Sequence, residues 1–189
     1  MHNMNNNILF IHIPKTGGTS IKHLINDNVP KNPKKFPFYH GHDPLFSFKI
    51  NEINGKFKFS VVRNPYTRTY SYYHHCCKKN NLKITFEDFL KNIKNGIVYK
   101  TIPLHYFPQS FYVYDSEGFF SLDKIYRYEK LYELENDFSI VLSHLNLGNY
   151  KKSNIKKDYT PKCISMVKEL FFVDFLNFKY SFNFDLCYE

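Results

Sequence analysis

Short β-rich runs alternate along this chain with stretches whose apolar residues have helical spacing. The β-rich runs at residues 8–13, 57–62 and 124–128 predict buried strands. Apolar residues recur every three or four positions in the segments that predict amphipathic helices. These segments are residues 19–28, 66–79, 85–96, 131–145 and 161–175. Strands alternating with helices predict an α/β fold, with helices flanking a central, mainly parallel sheet.

Proline and lysine mark the segments between these elements. Residues 30–44 contain four prolines, and residues 101–121 combine proline, glutamine, tyrosine and glycine, so both segments are predicted loops. The basic stretch "YKKSNIKKDYTP" at residues 150–161 is a third predicted loop. The chain has 189 residues and contains no internal repeat or long linker, which predicts one domain over residues 1–189.

Composition narrows the class of protein. Hydrophobic residues make up 43% and charged residues 23%, as in a globular protein. The net charge of +9 favours anionic ligands. Cys76 and Cys77 are adjacent and lack the CxxC spacing of zinc and redox motifs. The N-terminus "MHNMNNN" lacks a signal-peptide pattern and no segment has the length of a membrane span, so we expect a cytoplasmic protein.

Residues 12–20, "HIPKTGGTS", connect the first predicted strand to the first predicted helix; we call them the first motif. Gly17 and Gly18 let the backbone approach a ligand, and Lys15 supplies a positive charge. A nucleotide-triphosphate P-loop reads GxxxxGK[ST], whereas Lys15 precedes the glycines. The motif therefore predicts a P-loop-like site for a phosphate-type anion. Its predicted hydroxyl donors are Thr16, Thr19 and Ser20.

Another charged turn follows the second predicted strand, in "FSVVRNPYTRTYSYY" at residues 59–73. Arg63 lies at the strand end, Arg68 follows in the helix, and Ser71 lies eight residues after Arg63. We call residues 63–71 the second motif. Arginine binds phosphate through two parallel hydrogen bonds, and serine can donate to the same group. Two anion sites suggest one ligand with two phosphate-type groups.

Both motifs, in this order, resemble those of the sulfotransferases that use 3′-phosphoadenosine 5′-phosphosulfate (PAPS). The family's R-x-P-x-x-R-x-x-S run is present with every spacing kept, as Arg63, Pro65, Arg68 and Ser71. "IPKTGGTS" is typical of the branch that sulfates carbohydrates. "FYHGHDPLF" resembles the "YHGH" segment of the uronosyl 2-O-sulfotransferases, and residues 108–138 and 159–182 resemble later family segments.

This resemblance implies a P-loop-like sulfotransferase fold and transfer of a sulfuryl group from PAPS to a carbohydrate hydroxyl, leaving adenosine 3′,5′-bisphosphate. The first motif would hold the 5′-phosphosulfate, with Lys15 on the leaving oxygen, and Arg63, Arg68 and Ser71 would hold the 3′-phosphate. A histidine, His42 or His40, would be the catalytic base. No metal is implied. The expected partner is an oligosaccharide or glycoconjugate acceptor rather than nucleic acid or a membrane.

Two other classes of protein remain open. A non-catalytic nucleotide- or anion-binding module would keep both motifs but would not need the "YHGH" histidines. A nucleic-acid-binding protein would use the net charge and the tyrosine-rich segments.

Other polar residues receive weaker assignments. These are His12, a strand residue; His74 and His75, structural; His105, a possible acceptor contact; Arg127 and Glu129, a bracing pair; and Lys151, Lys152, Lys156 and Lys157, a basic loop over the nucleotide or a solvated charge run.

Overall fold

The computed structural model describes residues 8–21, 42–97, 99, 106–142 and 152–187. Contacts divide the chain into two compact units. The first unit is residues 1–62 with 109–146, and the second is residues 63–108 with 147–189. A single domain over residues 1–189 stays a prediction.

Strands and helices alternate in the described residues, as the sequence predicts. The strands are β1 (Ile8–Ile11), β2 (Phe57–Val62) and β3 (Lys124–Arg127). Helix α1 begins at residue 18 and is described as far as residue 21. The other helices are α2 (Ile50–Ile53), α3 (Pro65–Asn80), α4 (Phe86–Lys94), α5 (Leu131–Phe138), α6 (Lys152–Asp158), α7 (Pro161–Leu170) and α8 (Phe172–Asn177). Within the described ranges, no helix combines the length and apolar character needed to cross a bilayer.

The first unit is built on a parallel sheet with β2 between β1 and β3. Its strands are rich in β-branched and aromatic residues, which favour buried parallel pairing. The register places Phe10 beside Phe59, and their rings stack with centroids 5.0 Å apart. The Ser60 hydroxyl donates to the carbonyl oxygen of Ile11 at 2.7 Å, an additional bond between β1 and β2. The predicted α/β fold with a parallel sheet and flanking helices is confirmed, and it is consistent with a sulfotransferase fold.

Helix α5 packs on β3 and is shorter than predicted. The predicted helix at residues 131–145 is wrong beyond Phe138, because Ser139 adopts the left-handed conformation with φ 52°. The amide of Ile140 then donates to the carbonyl of Glu135 at 2.9 Å, which closes the helix end. Residues 143–145 lie outside the described residues.

The second unit contains α3, whose start the sequence predicts well. Asn64 caps it, since its side-chain oxygen accepts from the Tyr66 amide at 3.0 Å, and Pro65 occupies the first turn. Helix α4 begins in the same way, with the Thr85 hydroxyl accepting from the Asp88 amide at 3.1 Å.

Two predictions for the second unit are wrong. The stretch at residues 150–161 was a predicted loop, but it contains α6, because Ile155 and Tyr159 lie four residues apart and both are buried. The Tyr70 hydroxyl donates to Asp158 at 2.5 Å and holds the end of α6 against α3. The predicted helix at 161–175 is two helices, α7 and α8, because Phe171 has φ −123° and breaks the helical turn.

Candidate functional site

Both motifs follow neighbouring strands of the sheet. Because β1 and β2 are parallel and adjacent, their carboxyl ends lie at the same edge. The first motif begins directly after β1, and Arg63 of the second motif is the residue that follows β2. Ligands of open α/β sheets bind beyond this edge.

The first motif has an unusual backbone. Lys15 and Gly17 both have positive φ, 69° and 83°. A non-glycine residue rarely adopts this conformation, and it costs about 1–2 kcal/mol, so the surrounding turn has to hold Lys15 in place. The Thr16 hydroxyl donates to the Ile13 carbonyl at 2.8 Å, and the Ser20 amide donates to the Gly17 carbonyl at 3.1 Å. These two bonds hold the turn that presents Lys15.

The predicted hydroxyl donors of the first motif differ in exposure. Thr16 is completely buried and its proton is directed to the Ile13 carbonyl, so in this structure it stabilises the turn. Ser20 is also buried, whereas Thr19 and Lys15 are half-buried. The chain is therefore arranged to present Lys15 and Thr19 more than Thr16. The first amides of a helix have no partner within it, so the amides of Gly18 and Thr19, which precede Ser20 in α1, are placed as donors for an anion.

Each glycine of the first motif lies against an aromatic ring. A Cβ added at Gly17 would lie 3.0 Å from Cδ2 of Tyr128. One added at Gly18 would lie 2.0 Å from Cδ2 of His12. Gly18 does not have a positive φ, so its lack of a side chain serves this contact rather than the backbone conformation. The sequence analysis gave Tyr128 and His12 only strand positions and assigned neither of them to the site. The paired glycines were the one signal for such close packing.

His42 lies beside the first motif. Its Nδ1 is 2.9 Å from the carbonyl oxygen of His12, and the two ring centroids are 4.1 Å apart. A carbonyl oxygen can only accept, so Nδ1 of His42 carries the proton of this hydrogen bond. The neutral ring then has its lone pair on Nε2. His40, the other predicted base, lies outside the described residues.

In the second motif, Arg63 is held by its own helix start. Its side chain is 9% exposed, and Nε donates to the Thr67 hydroxyl at 3.0 Å. That hydroxyl lies 3.2 Å from the Asn64 carbonyl, to which it donates. The chain of bonds fixes the direction of the guanidinium and uses Nε for this purpose.

Arg68 and Ser71 lie three residues apart on α3 and therefore share one face. Arg68 is 2% exposed, and its Nη1 donates to the carbonyl of Phe107 at 3.0 Å. Ser71 is half-buried. In this structure Arg68 supports the segment at Phe107, a role that the sequence did not predict.

A family model described as the sulfotransferase family matches residues 1–181. The chain belongs to the sulfotransferase family. Family membership supports transfer of sulfuryl groups as the activity. Searches of curated proteins and of solved structures found no match.

Other residues of this sulfotransferase received weaker predictions. His74 lies one turn beyond Ser71, and its burial lowers its pKa, an effect that the nearby charge of Asp158 only partly opposes. His74 is thus neutral near pH 7, which suits its predicted structural role. Lys156 and Lys157 are exposed on α6. The pairing of Arg127 with Glu129 stays a prediction, and His105 and Lys151 lie outside the described residues.

Metal ligands were not predicted for this sulfotransferase. In the parts of the chain that the structure describes, no group of three or more histidine, cysteine, aspartate or glutamate side chains is placed to hold a metal ion. The positive groups that the structure does place at the motifs are Lys15 and the two arginines.

Proposed function

We propose that this sulfotransferase moves the sulfuryl group of PAPS to a hydroxyl of a carbohydrate acceptor, with His42 as the base. The observation that carries the proposal is the 2.9 Å hydrogen bond from His42 Nδ1 to the His12 carbonyl. It directs the lone pair of the neutral ring to Nε2, the atom that can take a proton. His42 also comes from the "YHGH" segment that resembles the uronosyl 2-O-sulfotransferases.

The first motif has the donor set that a phosphosulfate requires. Lys15 is presented on a turn held by hydrogen bonds, and the start of α1 supplies backbone amides and the positive end of a helix. Thr19 adds a half-buried hydroxyl. These groups would hold the 5′-phosphosulfate.

The second motif has the donors that a 3′-phosphate requires. Since Nε of Arg63 binds Thr67, the guanidinium is already oriented before any ligand arrives. Orientation in advance reduces the entropy lost on binding. Ser71 would add a hydroxyl donor, and Arg68 would act chiefly by supporting the chain at Phe107.

PAPS, when bound, supplies the sulfuryl group and a leaving phosphate. Nε2 of His42 takes the proton of the acceptor hydroxyl as the acceptor oxygen forms its bond to sulfur. The bond between sulfur and the bridging phosphate oxygen breaks, and its electron pair stays on that oxygen. Lys15 stabilises this developing negative charge. The products are adenosine 3′,5′-bisphosphate, the sulfated acceptor and a proton on His42.

The carbohydrate acceptor and the cytoplasmic location belong to the proposal. The acceptor class is supported by "IPKTGGTS" and "YHGH", which are typical of carbohydrate branches of the family. All four cysteines are thiols, which agrees with a reducing compartment. Cell fractionation would check the location.

The deciding experiment measures single-turnover transfer from radiolabelled PAPS to a panel of unsulfated oligosaccharides. A base acts on the acceptor and not on the nucleotide. We therefore expect His42→Ala to lower transfer by roughly two to four orders of magnitude while affinity for adenosine 3′,5′-bisphosphate stays nearly unchanged. His40→Ala is measured beside it, because it is the other candidate base. His75→Ala, a half-buried histidine on α3, is the matched control and should keep wild-type transfer.

Three outcomes would contradict the proposal. Wild-type transfer in His42→Ala would remove His42 as the base, and wild-type transfer in both His42→Ala and His40→Ala would remove both histidines. Loss of nucleotide affinity in both variants would show that the "YHGH" segment belongs to the nucleotide site or to the fold rather than to the acceptor site. Tight bisphosphate binding without transfer to any sugar would favour a non-catalytic binding module.

A further inference from the structure

His12 is the first residue of the first motif, and it contacts both the proposed base and the Gly18 backbone further along the motif. Its carbonyl oxygen accepts the His42 hydrogen bond, and its ring lies 4.1 Å from the His42 ring, at an interplanar angle of 46°. It also stacks on Phe10, with centroids 5.6 Å apart and planes within 21°. At 9% exposure, the His12 ring is fixed by its surroundings. It therefore offers His42 a rigid surface as well as a hydrogen-bond acceptor.

The same ring limits the backbone of the first motif. Cδ2 and Nε2 of His12 lie 2.0 and 2.1 Å from the position that a Cβ at Gly18 would take. The ring edge therefore packs directly on the Gly18 backbone. One residue thus touches the loop assigned to the phosphosulfate and the side chain assigned to the acceptor proton.

We propose that His12 is the positioning residue for the base. This inference rests on the proposed function, in which His42 is the base. The His12 carbonyl selects the tautomer of His42 that has its proton on Nδ1. The His12 ring restricts rotation of the His42 imidazole and keeps Nε2 in one position relative to the first motif. His12 acts through His42 and takes no proton itself.

The competing explanation is that His12 only fills space beneath the sheet edge. A space-filling residue would lower stability and transfer whether or not His42 is present. A positioning residue changes transfer only while His42 is there to be positioned. A double-mutant cycle separates the two roles.

The test compares wild type, His12→Ala, His42→Ala and the double variant by single-turnover transfer from radiolabelled PAPS to unsulfated uronate-containing oligosaccharides. We expect His12→Ala to lower transfer by about 10- to 100-fold, since small misplacements of a reacting group have effects of this size. In the His42→Ala background, the same change should alter transfer by less than about threefold. His12→Phe keeps a ring and should recover most of the rate. Urea unfolding, measured in parallel, shows that each variant is folded.

A second measurement tests the hydrogen bond directly in the unaltered protein. Nitrogen chemical shifts of labelled histidine should show His42 with its proton on Nδ1 in the wild type. In His12→Phe the backbone carbonyl is retained, so the same tautomer should persist. A wild-type His42 with its proton on Nε2 would overturn the proposal, because the ring would then have no lone pair at the proposed reacting atom.

The outcomes also separate this inference from the proposed function. If His42→Ala keeps wild-type transfer, the base assignment fails and the role of His12 fails with it. If His42→Ala loses transfer but His12→Ala lowers it equally in both backgrounds, His42 stays the base and His12 is a core residue. Wild-type transfer in His12→Ala likewise overturns only the role of His12.

Discussion

The first and second motifs both follow parallel strands, yet they are built in opposite ways. The first relies on backbone geometry, with positive φ at Lys15 and Gly17 and aromatic rings packed on both glycines. The second uses an ordinary capped helix start and depends on the guanidinium of Arg63, held by Thr67. Added atoms should therefore damage the first motif most, whereas removed donors should damage the second.

Lys15 is the exception to this contrast, because at Lys15 the first motif depends on a side chain as well as on backbone geometry. We expect Lys15→Ala and Lys15→Gly to lower turnover by about 10²- to 10³-fold, the usual effect of removing one group that stabilises a leaving charge. Bisphosphate affinity should fall much less. Lys15→Gly should be the more stable variant by about 1 kcal/mol, because glycine adopts φ 69° without strain.

Turnover, bisphosphate affinity and urea unfolding measure these effects separately. Unchanged turnover in both variants would remove Lys15 from the mechanism. Equal stability of the two would show that φ at residue 15 differs in solution.

Loss of a donor from the second motif should change nucleotide selectivity. The wild type should bind adenosine 3′,5′-bisphosphate much better than adenosine 5′-monophosphate. Arg63→Ala should remove about 2–3 kcal/mol of that preference, the usual worth of a hydrogen bond to a charged group. Arg63→Lys should keep only part of it, since an ammonium cannot form the paired contact.

Calorimetry with both nucleotides provides the measurement. Thr67→Val is the matched control: it keeps the guanidinium but removes the acceptor of its Nε, so it should reduce the preference by less than Arg63→Ala. Equal affinity of the wild type for the two nucleotides would rule out the 3′-phosphate assignment.

Gly17 in the first motif can be compared with Gly118, which lies outside both motifs and has nearly the same φ, 82° against 83°. The comparison separates the effect of close packing from the effect of backbone strain. Either substitution by alanine forces a strained φ, at a cost of about 1–2 kcal/mol. A Cβ at Gly17 would also meet Tyr128 at 3.0 Å, whereas one at Gly118 has open space within 4 Å. We expect Gly17→Ala to destabilise the protein by about 1–3 kcal/mol more than Gly118→Ala.

Chemical unfolding of both variants measures the difference. Adding Tyr128→Leu to Gly17→Ala should recover part of the loss by relieving the contact. Identical losses for Gly17→Ala and Gly118→Ala would show that the Tyr128 ring moves away at no cost.

The smallest expected effect is the contribution of His74, on α3, to the pH dependence of the free energy of unfolding. Burial lowers the pKa of His74 in the folded protein, so the unfolded chain binds the proton more readily. The stability that His74 contributes is therefore present above the ordinary histidine pKa of about 6.5 and is lost as the pH falls below it. The free energy of unfolding measured from pH 7.5 to 5.5 should decline less steeply in His74→Gln. An unchanged slope would contradict the burial of this ring.

The predictable parts of the structure are those set by local chemistry. The apolar run of β2, the Asn64 cap and Pro65 together define where a strand ends and α3 begins. Both motifs were recognisable for the same reason, since their residues are consecutive or regularly spaced. Local signals failed where packing determines the structure. The lysine-rich sequence of α6 predicts a loop, but burial of Ile155 stabilises a helix there.

The site was least predictable where it joins distant residues. His12 and His42 are 30 positions apart, and no spacing rule places one ring on the other. Tyr128 follows β3 and contacts Gly17 in the turn after β1, although β2 lies between those two strands in the sheet. These contacts follow from strand order and register, which hydrophobic patterns constrain only weakly.

The reactivity of the cysteine thiols can be used to measure local unfolding of the second unit. All four lie in the second unit, and Cys76, Cys163 and Cys187 are at most 1% exposed. A thiol reagent can modify these three only when that unit opens, so the labelling rate measures opening there and is silent about the sheet. Cys77 is half-buried and its pKa is raised, so it should react first but slowly, as a reference within the same molecule. Adenosine 3′,5′-bisphosphate bound at Arg63 would then slow labelling of the three buried thiols, which turns ligand occupancy into a rate that a simple absorbance assay can follow.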